Sequence, residues 1–274
     1  MTVLITGGTG KTGHPLAAEL REHGSDIRVA SRTPGREGAF FDWADPGSHR
    51  PVVRGVERLY LVPPLLSVDP MPMVRPFLDA AHAEGVRRVV VLSSSAVLAD
   101  APGLAELRFV AREFPEWAVL RPSGFMQNFV GAHPVAAGIR EHGEIRTAAG
   151  DGRLGWVDAA DIAAVAARLL LAPEIASGER FVTGPETLSY PQAASIIGDA
   201  TGKPVHHRDV SAEDLARSYR ETGMPDPFAS ALAGFDRDIS QGAEDHVSPE
   251  VERLTGRPAR SFRDFVRANR DGFG

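Results

Sequence analysis

The sequence contains no cysteine, which excludes disulfide bonds, thiolate metal ligands and a cysteine nucleophile. It also lacks a long hydrophobic run. The longest apolar stretch, residues 162–172, is interrupted by Arg168 and is far shorter than the roughly 18 residues that indicate a membrane span. No charged segment leading into an apolar one opens the chain, which argues against a signal peptide. These absences predict a cytoplasmic protein that has no membrane partner.

Positive charge is limited as well. The formal net charge is -6 and the sequence has no basic block, so nucleic acid is not expected as a partner. The lysines are Lys11 and Lys203, and the tyrosines are Tyr60, Tyr190 and Tyr219. None of them forms a Tyr-x-x-x-Lys pair, in which a lysine lowers the pKa of a tyrosine that protonates a carbonyl oxygen. The sequence therefore excludes that catalytic pair.

The chain opens with a glycine-rich turn between a predicted strand and a predicted helix. Residues 3–5 are apolar β-formers, and a helical pattern follows the last glycine directly. Gly7 permits a sharp turn, Gly10 lets backbone N–H groups approach a pyrophosphate, and Gly13 lets the helix pack closely on the sheet. The phosphates then lie at the positive end of a helix. A plain strand-to-helix turn is the alternative, but the position on the first strand favours a dinucleotide site.

The second predicted strand indicates which dinucleotide is preferred. NAD enzymes place a carboxylate about 20 residues beyond the glycines, where it binds the ribose. Here the strand ends at Ser31 and Arg32, with Arg36 a few residues further on. A guanidinium at that place matches a 2′-phosphate through bidentate, charge-assisted hydrogen bonds. The expected cofactor is therefore NADP(H), and a solvated loop arginine is the alternative for Arg32.

Predicted strands alternate with helical patterns over the first half of the chain. The strands are expected at residues 3–5, 27–32, 39–43, 59–62, 88–92 and 117–121. This alternation predicts an α/β fold with a doubly wound parallel sheet of the Rossmann type. Later residues are largely helical, and no low-complexity linker precedes them. We therefore expect an NADP-binding core over residues 1–130. The C-terminal part, residues 131–274, is expected to complete the sheet and form a smaller, mostly helical substrate lobe.

Several helix boundaries carry recognisable signals. Ser189, Ser211 and Ser261 are each followed three residues later by Gln or Asp, which predicts helix N-termini. Asp161 is expected to cap a helix over residues 162–171. Glycines at positions 202 and 256, each with a proline two residues further on, predict helix ends.

Two further segments are expected to border the cofactor, because ligands bind at the carboxyl ends of strands in such sheets. Asp42 and Trp43 end the third predicted strand and are candidates for contact with the adenine ring. Helix capping by Asp42 and core packing by Trp43 are equally good alternatives. Pro63 and Pro64 end the fourth strand abruptly, since a proline cannot donate to a strand ladder.

Several short motifs occur together along the chain. They are ITGGTGKTG at residues 5–13, FDW at 41–43 with DP at 45–46, LVPP at 61–64, LRPS at 120–123 with FMQN at 125–128, FVTGPETL at 181–188 and TGRP at 255–258. In this combination the sequence resembles the NmrA-like group of atypical short-chain dehydrogenases/reductases. The similarity is closest to the branch that contains agroclavine and festuclavine dehydrogenases, and it covers nearly the whole chain.

This resemblance implies a set of cofactor-binding residues. NADP(H) would be bound through Gly7, Gly10, Thr12, Gly13 and Arg32, with Pro63, Ser93 and Phe125 near the nicotinamide. Thr9, Lys11, Ser31 and Asp42 complete the candidate set. The family includes reductases and also redox-sensing regulators without catalytic activity.

The missing Tyr-x-x-x-Lys pair favours one class of reaction. Ketone reduction leaves an alkoxide that must be protonated or stabilised, whereas hydride addition to an iminium ion gives a neutral amine. We therefore expect an NADPH-dependent reductase that acts mainly by positioning. Its small organic acceptor would be an iminium C=N or an activated conjugated or quinone-type compound. The alternative is a non-catalytic NADP(H) redox sensor that binds a protein partner through an amphipathic helix over residues 228–239. Either protein is expected to be a monomer or a homodimer.

The sequence assigns no catalytic residue. Ser93, Asn128 and His133 are the polar candidates for facing the substrate. The alternatives are a backbone or cofactor contact for Ser93, a loop-holding role for Asn128 and an exposed turn for His133. No metal site is expected. The pair His206 and His207 is adjacent on a predicted strand, so the two side chains point to opposite faces.

Overall fold

A computed structural model describes residues 1–35, 38–96 and 102–274 of the chain. The strands are β1 Thr2–Thr6, β2 Asp26–Ser31, β3 Gly38–Phe40, β4 Arg58–Leu61, β5 Arg88–Leu92, β6 Glu116–Pro122, β7 Glu144–Thr147, β8 Arg153–Leu154, β9 Gly178–Val182, β10 Leu188–Ser189 and β11 His206–Asp209. The α-helices are α1 Gly13–Glu22, α2 His49–Val53, α3 Met71–Ala83, α4 Pro102–Val110, α5 Pro134–His142, α6 Ala159–Leu171, α7 Tyr190–Thr201, α8 Ala212–Glu221, α9 Asp226–Ser240, α10 Glu250–Thr255 and α11 Phe262–Ala268. None of the helices in these ranges is long and apolar enough to cross a bilayer.

The central sheet has seven strands in the order β3-β2-β1-β4-β5-β6-β9. β1 pairs in parallel with both β2 and β4, and the parallel pairing continues outward through β3 on one side and through β5 and β6 on the other. The strand order therefore reverses between β1 and β4, which is where open α/β sheets bind ligands. The predicted α/β fold with a doubly wound, Rossmann-type sheet is confirmed.

The third strand is shorter than predicted. β3 ends at Phe40, and the next residues leave the sheet. Phe41 and Trp43 pack instead against Phe77 of α3, with ring centroids 5.0 and 5.2 Å apart. Burial of these rings against a helix replaces the strand that their apolar character suggested.

The helix boundaries mostly follow their sequence signals. Ser189, Ser211 and Ser261 each accept a hydrogen bond from the backbone N–H three residues further on, so the three predicted N-caps are confirmed. Asp161 is different, and its predicted capping role is wrong. α6 begins at Ala159, so Asp161 lies inside the first turn. An acidic side chain is favourable there as well, because it faces the positive end of the helix.

The chain divides into two compact units. The first contains Met1–Ser94, Pro102–Arg121 and Ala159–Phe181, and it holds the central sheet. Its core includes Leu4, Leu59, Phe77 and Val91, which are buried to within 1% of their surface. The second unit contains Pro122–Asp158 and Val182–Gly274, together with the described residues Ser95 and Ala96. Its aromatic core is built around Phe129, Trp156 and Phe262.

The first unit has a buried cation, Arg88 at the start of β5, which is fully buried. Its guanidinium forms a bidentate pair with Glu116 at 2.7 and 3.1 Å, and this pairing lowers the pKa of Glu116. The same group donates to the carbonyl oxygens of Leu169 and Ala172 at the end of α6, at 2.9 and 2.6 Å. Arg58 donates to Ala172 O at 3.2 Å. Cations at a helix C-terminus satisfy carbonyl groups that have no partner within the helix.

Replacing Arg88 by Met removes the buried cation. The carbonyl groups at the end of α6 and the Glu116 carboxylate then lose their hydrogen-bond donor. We expect the free energy of unfolding to fall by about 3 to 5 kcal/mol, which is the usual cost of breaking a buried ion pair by removing one partner. Chemical denaturation measures this. The matched control is Arg75→Met, because Arg75 pairs with Glu113 at 2.7 Å but 40% of its side chain is exposed. That variant should lose about 1 kcal/mol or less. Equal losses in the two variants would contradict this account of Arg88.

Candidate functional site

The glycine turn after β1 has a geometry that only small residues permit. Gly7 has a φ of +62°, in the left-handed region, and its carbonyl accepts a 2.9 Å hydrogen bond from Gly10 N–H. A Cβ at position 13 would lie 2.3 Å from the same carbonyl oxygen and 2.7 Å from the Cα of Gly8. Position 13 therefore has no room for a side chain. This contact lets the first turn of α1 rest directly on the backbone of the loop.

A second set of contacts links this turn to β4. Val62 N–H donates to Thr6 Oγ1 at 2.7 Å, immediately beyond the strand. The Tyr60 hydroxyl donates to Thr12 Oγ1 at 3.1 Å, next to Gly13. Burial raises the pKa of Tyr60, so the phenol stays protonated and keeps its donor. Sequence reasoning missed Tyr60, and a polar hydroxyl within an otherwise apolar strand was the available signal.

The outer surface of the turn is accessible to a ligand. Thr9, Gly10 and Lys11 are exposed, while Thr12 is buried at the N-cap of α1. Partial desolvation lowers the pKa of Lys11, although its side chain remains exposed. An exposed loop at a helix N-terminus presents backbone N–H groups and a positive dipole, which suits phosphate oxygens.

The end of β2 lies beside β1, because the two strands pair from Thr2 with Asp26 through Thr6 with Ala30. Ser31 ends β2 half-buried and Arg32 follows it in an exposed position. Among described residues, no carboxylate forms an ion pair with Arg32. Its guanidinium is thus available to an external anion. Arg36 lies outside the described residues.

The predicted adenine-side residues have structural partners of their own. Asp42 Oδ1 accepts from Ala44 N–H at 3.0 Å, which stabilises the turn that precedes α2. Trp43 contacts Phe41 edge to face, with centroids 4.8 Å apart. The contact of Trp43 corresponds to the packing alternative. Helix capping by Asp42 is not observed, because the residue that caps the next helical turn is Asp45, which accepts from Gly47 N–H. Contact of Asp42 with adenine stays a prediction.

Two candidate residues follow the next strands of the sheet. Pro63 is half-buried, and it leads into a loop in which 82% of Leu65 is exposed and Leu66 has a φ of +59°. Ser93 follows β5 and its N–H donates to Leu120 O at 2.8 Å. Its hydroxyl has no hydrogen-bond partner within the described chain, so it is available to a ligand. Both residues thus lie at carboxyl ends of neighbouring parallel strands.

The remaining candidates belong to the second unit. Phe125 forms a bridge with Val157, and Met126 N–H donates to Val157 O at 2.9 Å. This pairing fixes the segment that follows β6. Phe125 and Asn128 are half-buried there, and Asn128 N–H donates to Phe125 O at 3.0 Å. His133 is the N-cap of α5, and its Nδ1 accepts from Val135 N–H at 3.2 Å. That contact gives His133 a structural role at the start of a helix.

The histidine pair lies on β11, as predicted for a strand. His206 is exposed, while His207 Nε2 is 2.8 Å from Thr147 Oγ1 and its ring stacks on Tyr190. Desolvation lowers the pKa of His207. Within the described ranges no group of three or more His, Asp or Glu side chains is arranged to hold a metal ion.

Three buried carboxyl groups of the second unit were not predicted as features of the protein. Asp158 accepts from Gln127 Nε2 and from Arg260, each at 2.8 Å. Glu244 accepts from the hydroxyls of Ser95 and Ser123. Asp236 on α9 accepts from Ala148 N–H at 3.1 Å, and burial raises its pKa to about 7 despite that hydrogen bond. The partners lie far apart in sequence, so no local pattern indicates them.

The chain is similar in sequence and in fold to several known proteins. A profile described as the NmrA-like family matches residues 108–256. The uncharacterized oxidoreductase YesF of Bacillus subtilis (strain 168) is 42% identical over 271 residues, with 97% of this chain and 94% of that protein covered. The chain belongs to the NmrA-like family. An agroclavine dehydrogenase of Claviceps fusiformis is 37% identical over 286 residues, with 99% and 98% covered.

Solved structures agree with this assignment. An NADPH-dependent quinone oxidoreductase from Escherichia coli in complex with NADPH is 26% identical to this NmrA-like protein, with a TM-score of 0.81. The match covers 96% of this chain and 98% of that one. The resemblance to NmrA-like reductases and to the agroclavine dehydrogenase branch is confirmed. The roles of individual site residues stay predictions.

The raised pKa of Asp236 predicts how stability depends on pH. An unfolded aspartate has a pKa of about 3.9, so between about pH 4 and pH 7 the folded chain holds a proton that the unfolded chain lacks. Stability should therefore fall as the pH rises through this window. In the Asp236→Asn variant the side chain is neutral throughout and still accepts from Ala148 N–H. We expect the loss between pH 5 and pH 8 to shrink by about 2 to 3 kcal/mol in denaturant titrations.

The matched control for this measurement is Asp238→Asn on the same helix, where 38% of the aspartate side chain is exposed. It should keep the pH dependence of the unchanged protein. A pH dependence in Asp236→Asn that equals that of the control would show that the Asp236 carboxyl does not titrate as described.

Proposed function

We propose that this protein is an NADPH-dependent reductase that transfers hydride to a small organic acceptor. The acceptor is an iminium C=N or an activated conjugated or quinone-type compound. The observation that carries this proposal is the exposed glycine turn with its contact between Gly13 and the Gly7 carbonyl. Support comes from relatives matched over nearly their whole length, one an agroclavine dehydrogenase and one an NADPH-dependent quinone oxidoreductase.

The described residues fit a bound NADP(H) molecule. The backbone of residues 7–13 would hold the pyrophosphate at the N-terminus of α1, and Arg32 would bind the 2′-phosphate. A Cβ at position 10 would come within 3.1 Å of the Gly7 carbonyl oxygen and narrow this cradle. When bound, the reduced nicotinamide supplies the hydride. Pro63 and Ser93, which follow neighbouring strands of the first unit, would orient the nicotinamide.

The absence of a Tyr-x-x-x-Lys pair suits an acceptor that needs no protonation during hydride transfer. Hydride addition to an iminium carbon yields a neutral amine directly, so orientation within a cleft provides most of the rate enhancement. A quinone instead gives an anionic product, whose charge is spread over a conjugated ring and can later be protonated by water. Neither acceptor requires an acid as strongly positioned as ketone reduction does.

The sensor alternative relied on an amphipathic helix that needs a partner. In the structure this helix is α9, and its residues Ala229 and Ala233 pack with Leu215 and Tyr219 of α8 within the second unit. Its apolar face therefore has a partner in the same chain. This leaves the reductase as the function with the better support.

The first test measures NADPH oxidation, followed at 340 nm, with N-methyl-dihydroisoquinolinium as the iminium ion and menadione as the quinone. Turnover with at least one acceptor is expected. Binding of NADPH without any consumption across a wider panel of cyclic iminium ions and quinones would instead favour the redox sensor. For the iminium ion, transfer of deuterium from deuterated NADPH to the product carbon separates enzymatic reduction from background oxidation.

The second test concerns the choice of cofactor. Arg32→Glu should weaken NADPH binding by about 100-fold, because it removes a charge-assisted contact and adds repulsion, while NADH binding should change little. Fluorescence titration of both cofactors measures this difference. Arg21→Glu, at an exposed position in the last turn of α1, carries the same change of charge and should leave both affinities unchanged. Undiminished NADPH affinity in Arg32→Glu would remove Arg32 from the site.

A further inference from the structure

The second unit has a surface cleft of about 320 Å³ between α7 and α11. It is lined by Asp199 and Ala200 of α7, by Arg263 and Arg267 of α11, and by Arg270 in the turn that follows α11. These five residues form the arginine cleft. Its volume is at the lower end of the range for ligand pockets, so a bound molecule would be small. All five residues belong to the second unit, and the glycine turn after β1 belongs to the first.

The walls of the arginine cleft are held in place by the hydrophobic core beneath them. Phe262 and Phe265 on the inner face of α11 are buried to within 1% of their surface, and they share this core with Ile197 of α7. Ala200, which lines the cleft, packs against the same core. The backbones that carry the arginines are therefore fixed before any ligand binds, which reduces the entropy lost on binding.

The arginines of the cleft have few charge partners in the chain. Over residues 1–35, 38–96 and 102–274, Arg263 and Arg270 form no hydrogen bond and no ion pair. Arg267 has one ion-pair partner in these ranges, the exposed Asp264 at 3.6 Å. Asp199 lines the same cleft, yet no ion pair joins it to any of the three guanidinium groups in the described part of the chain. The positive charge of the cleft is thus largely uncompensated.

This arrangement differs from that of other exposed arginines in the second unit. Arg217 and Arg253 each pair with a carboxylate on their own helix, at 2.9 and 2.7 Å. Arg263 and Arg267 instead lie four residues apart on α11, where two like charges repel each other across one helical turn. This positive cluster occurs in a protein whose net charge is -6. An external anion bound between the guanidinium groups would remove the repulsion.

The chemistry of the lining indicates the class of ligand. Guanidinium groups bind phosphate through bidentate, charge-assisted hydrogen bonds. The carboxylate of Asp199 can only accept hydrogen bonds, so it suits a hydroxyl group and disfavours a second anionic group. We infer that the arginine cleft is a binding site for a small sugar phosphate. The phosphate binds to Arg263, Arg267 and Arg270, and a sugar hydroxyl donates to Asp199. This site goes beyond the proposed reductase function and does not depend on it.

The main experiment is a calorimetric titration at low salt with ribose 5-phosphate and with inorganic phosphate. Saturating NADP⁺ keeps both probes out of the proposed cofactor site. We expect ribose 5-phosphate to bind about tenfold more tightly than inorganic phosphate, because only the sugar phosphate also contacts Asp199. The double variant Arg263→Gln, Arg270→Gln should weaken binding of the sugar phosphate by about tenfold. The control Arg208→Gln, Arg217→Gln removes the same charge at exposed positions outside the cleft and should leave binding unchanged.

The Asp199→Ala variant tests the sugar hydroxyl separately. It should weaken binding of ribose 5-phosphate, because the hydroxyl loses its acceptor. It should also strengthen binding of inorganic phosphate slightly, because a negative charge is removed from the cleft. The preference for the sugar phosphate should therefore be lost. Equal binding of the two probes to the unchanged protein, an unaltered preference in Asp199→Ala, or full affinity in the double arginine variant would each overturn the inference.

A chemical probe locates the ligand on the unchanged protein and requires no variant to fold. Phenylglyoxal modifies accessible arginines, and mass spectrometry measures the rate at each position. Ribose 5-phosphate should slow the modification of Arg263 and Arg270 and leave that of Arg217 unchanged. Equal rates with and without the sugar phosphate contradict the site. A failure of the protein to bind NADP⁺ counts against the proposed function alone, because protection at Arg263 and Arg270 reports only on the cleft.

Discussion

The site depends on one steric constraint, the contact of Gly13 with the carbonyl of Gly7. A Cβ at position 13 would overlap that oxygen at 2.3 Å, so α1 reaches this distance from the loop only because the position carries no side chain. The close approach brings the N-terminus of α1 to the carboxyl end of β1. It also places Thr12 where the Tyr60 hydroxyl binds it. The surface proposed to bind the phosphates is thus built from backbone, and the packing of side chains beneath it fixes its shape.

The second unit shows three different ways of keeping a carboxyl group inside a protein. Asp158 is paired with the cation of Arg260, and Gln127 fills its other oxygen. Asp236 is stabilised by a proton, since burial shifts its pKa to about 7. Glu244 has two hydroxyl donors and no cation among the described side chains. Burying a carboxyl group without such partners is costly, and each of the three meets that cost with a different partner.

Sequence reasoning predicted the features that depend on neighbours along the chain. The glycine spacing, the serine caps of α7, α8 and α11, and the alternation of strands and helices are local patterns, and the structure confirms them. Asp161 shows the limit of this approach, because α6 begins at Ala159, three residues earlier than a cap at Asp161 predicts.

The features that sequence reasoning missed join distant positions. Glu244 and Ser95 are 149 residues apart, and Arg88 lies 81 residues from the Leu169 carbonyl that it binds. An arginine at the start of an apolar strand is typical of a surface, so its burial is visible only once α6 is in place. Contacts of this kind depend on tertiary packing, and one sequence without its structure carries no signal for them.

The contact between Arg88 and the end of α6 joins parts of the chain that are synthesised at different times. The first unit combines three separate stretches of chain. The helix α6, whose C-terminal carbonyl groups accept from Arg88 and Arg58, lies in the last of them. At about 5 to 20 residues per second, the ribosome needs seconds to pass from Arg121 to the end of α6. During that interval Arg88 of the nascent chain lacks the α6 carbonyl groups that accept its hydrogen bonds. β6 also lacks β9, its neighbour at the edge of the sheet. The first unit therefore cannot complete its fold until α6 and β9 have been synthesised.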